Sequence, residues 1–279
     1  MNPISMLVVL YNKQIDEAKT LTTLLNFDVS NVDLTIINNG PDVIRGEGDV
    51  YLKLKGKSGS IKLINHIDNK PLSKLYNEFI ENNNSDVYVI FDDDSEITEE
   101  YMRALGNCKK YDLLIPRILS ISDDKYYYPC ENNNTVMVGK IVSELNVMSI
   151  SSGLSISARV VKMMIKEFHH VFDERFALYG IDTSFFLRIR RLRRKNIPID
   201  ILCAGVLFHS LSRVENKSKY SAFRRIERLY DIALTAKHYP EYISFFAIIK
   251  QIIKLSIRFD FKFIILFLSC YISGKHPRC

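Results

Sequence analysis

The 279-residue sequence is 47% hydrophobic and 25% charged, with a net charge of +6, a composition that excludes a disordered or low-complexity chain and supplies ample material for a core. Its five cysteines (Cys108, Cys130, Cys203, Cys270 and Cys279) are scattered, with no CxxC pair and no Cys/His zinc spacing; they read as free thiols in a reducing compartment rather than a disulfide or zinc framework. From His209 onward 13 Lys/Arg face 5 Asp/Glu, whereas the first 208 residues carry 25 against 27, so an anionic partner, nucleic acid or membrane surface, would belong to the C-terminal end.

In chain order, SMLVVLY reads as a first strand, and the opening MNPISMLVVLYNK has no basic leader, which points to a cytoplasmic chain. Asp16 to Asn26 reads as a helix and VDLTIINNG as a strand ending in a turn. After SIKLINH comes NKPLSKLYNEFIENN, where Pro71 suits a first helical turn and Leu72, Leu75 and Phe79 form an apolar stripe. DVYVIF is a short buried strand, TEEYMRALGN a helix with Thr98 as its cap and Gly106 near its end, and YDLLIP another strand. Ser122 to Thr135 is a polar, Tyr-rich loop. Ser149 to Ser157 reads as a strand with Gly153 inside it, a mark of a bulge or a close approach. Two helices follow, ARVVKMMIKEFHHVF and Asp182 to Lys195, then a strand, Asp200 to Ser210, that reaches His209. The alternation predicts an α/β fold, a doubly wound sheet with helices on both faces.

Ligands of such sheets sit beyond the carboxyl ends of the strands. Three strand ends carry polar residues: Asn12, the Asn38-Asn39-Gly40 turn, and Asp92-Asp93-Asp94. Adjacent like charges resist desolvation. The aspartates are therefore a solvated turn, a cap cluster, or a site for a hard divalent cation and phosphate oxygens. A phosphohydrolase of the DxDx[TV] type would make Asp92 a nucleophile. Glu96 stands where Thr or Val is needed, however, and the Gly48-Asp49 pair lies upstream rather than downstream. A DxD holding metal on a nucleotide-sugar diphosphate fits better. The GKS at Gly56 to Ser58 is no P-loop, because Tyr51 occupies the position of the required earlier glycine. Asp182 follows Gly180 at a helix start, with Arg188 six residues on; it either caps the helix or serves as a general base beside a cleft. His209 gains interest only in the company of these residues.

That company is recognisable. The order LVVLYNK, IINNG, NKPLSKLYNEFI, DVYVIFDDDSEI, SSGLSIS, FDERFALYGIDTSFFLRIRRL, LFHSLSR resembles family-2 inverting glycosyltransferases of the GT-A fold, most of all the bacterial branch that builds surface polysaccharides. The resemblance covers roughly residues 4 to 215 and implies a GT-A-like mixed sheet. It implies nucleotide-sugar contacts from Tyr11, Asn12, Asn39, Gly40, Asn77, Asp92, Asp93 and Arg188, a divalent metal (Mn²⁺ or Mg²⁺) on Asp94 and His209, and Asp182 as the catalytic base. The family often reads Glu-Asp at the base, and here Ile181 precedes Asp182. The chain has no Trp, so the QxxRW signature of processive synthases is missing and single addition is expected.

In the basic run Arg188 to Lys195 no aromatics interleave, as base stacking would need, and no nucleic-acid partner is expected. Lys250, Lys254, Arg258 and Lys262 recur every four residues amid Ile, Leu and Phe, a stripe that drifts by about 40° per step on a helix. The uncharged run Phe263 to Ser273 is too short for the roughly 20 residues that span a bilayer. Residues 216–279 thus read as a helical, basic, amphipathic extension on the inner membrane surface, or as helices packed on a catalytic domain of residues 1–215. The expected function is metal-dependent inverting transfer of one hexosyl or deoxyhexosyl unit from a nucleotide-diphosphate donor to a lipid-linked saccharide acceptor, in O-antigen, capsule or related polysaccharide synthesis. A phosphohydrolase using Asp92 to Asp94 and an inactive membrane-associated scaffold are the alternatives.

Overall fold

The computed structural model describes residues 4–131, 134–137, 139–142, 146–210, 222–243, 245–257 and 259–279. Strand β1 (Ile4–Leu10) divides its side chains between two apolar cores, with Leu7 and Val9 on one face of the sheet and Met6, Val8 and Leu10 on the other, as the two-residue period of a strand requires. In place of the single helix expected over 16–26, a 3-10 turn (Ile15–Glu17) and α1 (Lys19–Leu24) are separated by Ala18 in an extended conformation. Next come β2 (Val32–Asn38), α2 (Asp49–Lys57), β3 (Ser60–Asn65) and α3 (Leu72–Glu81). Helix α2 has no counterpart in the sequence reading, because only Val50 and Leu54 of its nine residues are buried. Pro71 stands at the N-cap of α3 rather than within its first turn.

Strands β4 (Val87–Asp92) and β5 (Ser95–Ile97) lead to α4 (Glu99–Gly106), whose cap is Thr98: its Oγ1 accepts the Tyr101 N–H at 3.2 Å. Strand β6 (Leu113–Ser120) runs on through Pro116. The segment read as a loop instead holds β7 (Lys125–Tyr128), β8 (Cys130–Glu131) and β9 (Asn134–Thr135). After β10 (Lys140–Val142) and β11 (Val147–Met148), β12 (Leu154–Ser157) begins only beyond Gly153. Gly153 has a positive φ of 79°, and a Cβ there would lie 2.4 Å from Leu207 Cδ1, so no other residue fits without displacement. Helices α5 (Ala158–Phe168) and α6 (Ile181–Arg194), strand β13 (Ile201–His209), and helices α7 (Ala222–His238), α8 (Phe245–Ile257) and α9 (Phe261–Ser273) complete the described chain.

The main sheet has the order β10-β13-β6-β12-β4-β1-β2-β3, with β5 on β13 and β7 on β6. Strands β1 to β4 are mutually parallel, β12 lies antiparallel between β4 and β6, and β13 is parallel to β6. The carboxyl ends of β1, β2, β4, β6 and β13 therefore share one edge. The winding reverses between β1 and β4, which makes their carboxyl ends the switch point where open α/β sheets bind ligands. The fold is thus the doubly wound mixed sheet that the sequence led us to expect.

One face of the sheet packs on α1, α2 and α4, through Leu21, Leu54 and Tyr101 among others. The other packs on α3, α5 and α6, and the same apolar cluster takes in Leu229 and Leu234 of α7 and Phe267 of α9. The C-terminal helices thus share the core of the sheet. Leu211 to Arg213, the expected boundary at residues 215 and 216, and Arg258 of the basic stripe lie outside the described residues. No helix among the described residues is long and apolar enough to cross a membrane.

Candidate active site

A cleft of about 1190 Å³ opens along the carboxyl edge. Its floor holds Tyr76, Asp92, Asp93, Asp94, Ser151, Asp182 and His209, its rim Tyr11, and its far wall Tyr126 to Tyr128, Arg228 and Asp231. Four of the residues singled out from the sequence, Asp92, Asp94, Asp182 and His209, meet here. Asp92 ends β4, Asp94 closes the turn to β5, and His209 ends β13 beside it, where β5 and β13 pair through Ser95 and His209.

Carboxylate oxygens of Asp92 and Asp94 and a ring nitrogen of His209 lie within 4.8 Å of one another. Nδ1 of His209 is 3.1 Å from Asp94 Oδ1 and 3.0 Å from Ser95 Oγ. Ser95 Oγ lies 2.6 Å from Ser152 Oγ, which accepts the Asp92 N–H at 3.2 Å, so a hydroxyl relay fixes all three groups. Burial, with the charges of Asp94, Asp182 and Asp93, outweighs the relief from His209 and pushes the Asp92 carboxyl up to about 7. Burial alone would lower His209, yet Asp94, Asp92 and Asp182 raise it. Asp94 Oδ1 is buried and, among the described residues, makes no hydrogen bond beyond its ion-pair contact with His209. Two carboxylates and an imidazole, crowded and short of positive charge, suit a hard divalent cation. Asp92, expected only as a donor contact, joins Asp94 and His209 in that donor set.

Asp182 is the second residue of α6, with Gly180 (φ 83°) as the N-cap. Its side chain does not cap the helix; Oδ1 instead accepts the Ser151 N–H at 3.1 Å. Burial raises its carboxyl to about 6, against the opposing hydrogen bonds of Ser151 and the charge of His209. Tyr76, whose hydroxyl is 3.3 Å from Ser151 Oγ, interacts with both Asp92 and Asp182 and so stands between the two acidic groups.

The other predicted contacts divide. Tyr11 is 53% exposed at the cleft rim and its N–H donates to Asp93 Oδ2 at 3.2 Å. Asp93 also pairs with Lys13 at 2.5 Å, so it holds the loop after β1 to the loop after β4. The exposed Asn12 (φ 51°) donates its N–H to Gly40 O at 2.7 Å, joining the ends of β1 and β2. Three residues point elsewhere. Asn39 is buried and donates to Lys70 O at 2.9 Å. Asn77 exchanges two 2.9 Å hydrogen bonds with the backbone of Phe172, pinning the loop before α6 to α3. Arg188 is 5% exposed and donates to His170 O at 2.7 Å and Tyr239 Oη at 3.2 Å, with Asp173 Oδ2 3.4 Å away. These side chains bond to the scaffold and are not among the cleft-lining residues, although Asn39 Oδ1 is buried without a partner among the described residues.

Comparison with protein-family models and with curated proteins finds no match in sequence. Solved structures are similar in fold. S. aureus TarS superposes with a TM-score of 0.54 at 13% identity over 85% of this chain, which spans 44% of that one. TarS residues 1–349 in complex with UDP-GlcNAc give 0.53 at 14% identity over 85% of this chain and 67% of that one. The mannosyltransferase PcManGT from Pyrobaculum calidifontis, in complex with GDP-Man and Mn²⁺, gives 0.51 at 10% identity over 83% and 62%. At such identities the likeness is one of fold.

Sequence reading missed the serines of the relay, Tyr76 and the cleft residues of α7. The Ser149 to Ser152 run ahead of Gly153 was the one available signal, since hydroxyls at a strand end need partners.

Because folding raises the Asp182 pKa from 3.8 to about 6, the native state binds that proton more tightly than the unfolded chain. Its contribution to stability is present at low pH and is lost as the pH rises through about 6. Asp182→Asn is therefore expected to match the wild type near pH 4 and to exceed it above pH 7 by about 1–3 kcal/mol. Thermal melts in metal-free buffer across that range check this; equal melting temperatures at pH 8 would contradict it.

Proposed function

We propose that the chain is a metal-dependent inverting glycosyltransferase that moves one sugar from a nucleoside-diphosphate donor to a saccharide acceptor. The observation that carries the reading is the meeting, at the switch point of the sheet, of the Asp92, Asp94 and His209 donor set with a separate buried carboxylate, Asp182, in one cleft. The ligands of the similar folds, UDP-GlcNAc and GDP-Man with Mn²⁺, support a nucleotide sugar in this position.

The division of labour follows from the geometry. Tyr11, exposed at the rim, is placed to cover the nucleoside. Asn12 and Gly40 shape the backbone beneath it through their 2.7 Å bond. Asp92, Asp94 and His209 would hold the cation, which when bound supplies the positive charge that a departing diphosphate requires. Asp182, raised to about 6, is ionised at neutral pH yet basic enough to take a proton. It removes the proton from an acceptor hydroxyl as that oxygen attacks the anomeric carbon. The bond from that carbon to the diphosphate oxygen breaks with its electron pair on the diphosphate. Attack from the face opposite the leaving group inverts the anomeric configuration. Ser151 and Tyr76 keep the base aligned.

A lipid-linked acceptor fits the outer face of the C-terminal helices. Ile249, Ile253 and Ile257 of α8 and Phe261, Ile265, Leu268 and Ile272 of α9 are exposed at helical spacing, with Lys250 and Lys262 exposed beside them. An apolar stripe of this extent with flanking cations suits the interface of an anionic bilayer.

Two experiments test the proposal. With donor and Mn²⁺, Asp94→Ala should lose metal-dependent donor binding, whereas Asp182→Asn should bind donor normally and lose at least about 100-fold in turnover, the usual scale of general-base catalysis. In the wild type, kcat/KM should rise with pH through about 6. An Asp182→Asn enzyme with wild-type turnover, or phosphate release from simple monoesters without any sugar acceptor, would overturn the assignment. For the membrane face, the wild type should co-sediment with phosphatidylglycerol vesicles and an Ile253→Asp, Ile265→Asp variant should stay in solution; equal sedimentation would contradict it.

A further inference from the structure

The cleft extends past Asp182 into a region that the transfer chemistry does not use. There it is walled by Tyr179, by Arg190 of α6, by Arg228 and Asp231 of α7, and by Glu241 and Tyr242 just beyond α7. Glu241 is already held by Arg191 through contacts of 2.7 and 3.1 Å. Asp231 is differently placed. Its Oδ1 accepts a hydrogen bond from Thr235 Oγ1 at 3.0 Å. The same oxygen lies so close to Gly180 that a Cβ on that glycine would be 2.4 Å away. The carboxylate thus packs against the N-cap of α6, two residues before Asp182, and lines the same cleft as that residue. Gly180 is what lets it come so near.

Three features define what fits beside it. The carboxylates of Asp231 and Glu241 balance the guanidiniums of Arg190 and Arg228 in this wall, which suits a neutral ligand, and the Asp231 carboxylate accepts hydrogen bonds from hydroxyls. Arg190 Nε is buried without a hydrogen-bond partner and offers a donor to a neutral oxygen. Tyr179 and Tyr242 supply rings with an apolar face and a polar edge. Hydroxyls that both donate and accept, carried on an apolar ring, match all three.

Resting on the transferase reading above, we propose that α7 completes the acceptor subsite, which takes a neutral saccharide presenting a vicinal diol: Asp182 deprotonates one hydroxyl while Asp231 accepts a hydrogen bond from its neighbour. Asp231 is then a specificity-determining contact supplied by the C-terminal helices. Burial and the charge of Asp182 raise the Asp231 carboxyl to about 6, against Thr235 and Arg228, consistent with two acidic groups facing one small space.

The test uses the full chain, a nucleoside diphosphate with Mn²⁺, and methyl glycosides of glucose, galactose, mannose and N-acetylglucosamine as probes, with binding followed by saturation-transfer NMR. At least one glycoside should saturate the wild type. Asp231→Asn should weaken it at least about fivefold while the nucleoside diphosphate keeps its affinity within about twofold, a split that a merely structural role for Asp231 would not produce. Should Asp231→Asn fail to fold, Thr235→Val, which removes only the hydroxyl that anchors Oδ1, should shift glycoside binding in the same direction. Equal glycoside affinity in wild type and variant, or saturation by none of the glycosides, would overturn the subsite. Failure of the wild type to bind any nucleoside diphosphate would instead strike at the transferase reading itself.

Discussion

Burial and mutual repulsion of the carboxylates at the end of β4 and the start of α6 are the constraint around which the site is arranged. Asp92, Asp94 and Asp182 are brought together beside His209, whose pKa their charges raise, and burial drives Asp92 to about 7 and Asp182 to about 6. Isolated, such a cluster would lose protons only reluctantly or would swing apart. The protons of Asp92 and Asp182 are indeed held more tightly, but the groups do not swing apart, because each member is tied at its back: Asp92 through its own N–H to Ser152, Asp94 to His209, Asp182 to the Ser151 N–H. The remaining deficit of positive charge is what a divalent cation and, beyond it, a diphosphate would meet.

The surroundings keep that arrangement rigid. Asp93, which lines the cleft, is taken up by Lys13 and the Tyr11 N–H, and the other holding groups lie outside the cleft. Asn77 grips Phe172, and Asp173 gathers Arg175, Arg188 and Tyr239 around a carboxyl held down at about 2, where those partners outweigh the burial that would raise it. This buried knot joins the loop before α6 to α6 and to the end of α7. The position of Asp182 therefore depends on the C-terminal helices, which share the core rather than hang from it.

Much of this was legible in the sequence. Strand alternation fixed the fold class, and polar residues at the ends of apolar strands marked the functional edge, since a buried strand has few reasons to end in three aspartates. Asp182 and His209 stood out through position more than type. Asn39, Asn77 and Arg188 were legible as special, but their bonds to Lys70, Phe172 and His170 were not, because a side chain that satisfies buried backbone and one that contacts a ligand leave the same residue in the chain. Asp231 left no local mark at all, because its place in the cleft arises from the docking of α7 against Gly180. Helix α2 and the short strands β8 and β9 escaped for a simpler reason, too few buried residues to set a period.

The most direct measurement is thermal unfolding of the whole chain with UDP, dTDP, GDP and ADP, each with and without Mn²⁺. A ligand at about 100 times its Kd stabilises by about 2.7 kcal/mol, which at roughly 2–4 °C per kcal/mol is a rise of about 5–10 °C. The account predicts such a rise for one nucleoside diphosphate, only in the presence of Mn²⁺, and its loss in Asp94→Ala. No rise with any of the four, or a rise indifferent to metal and to Asp94, would contradict it.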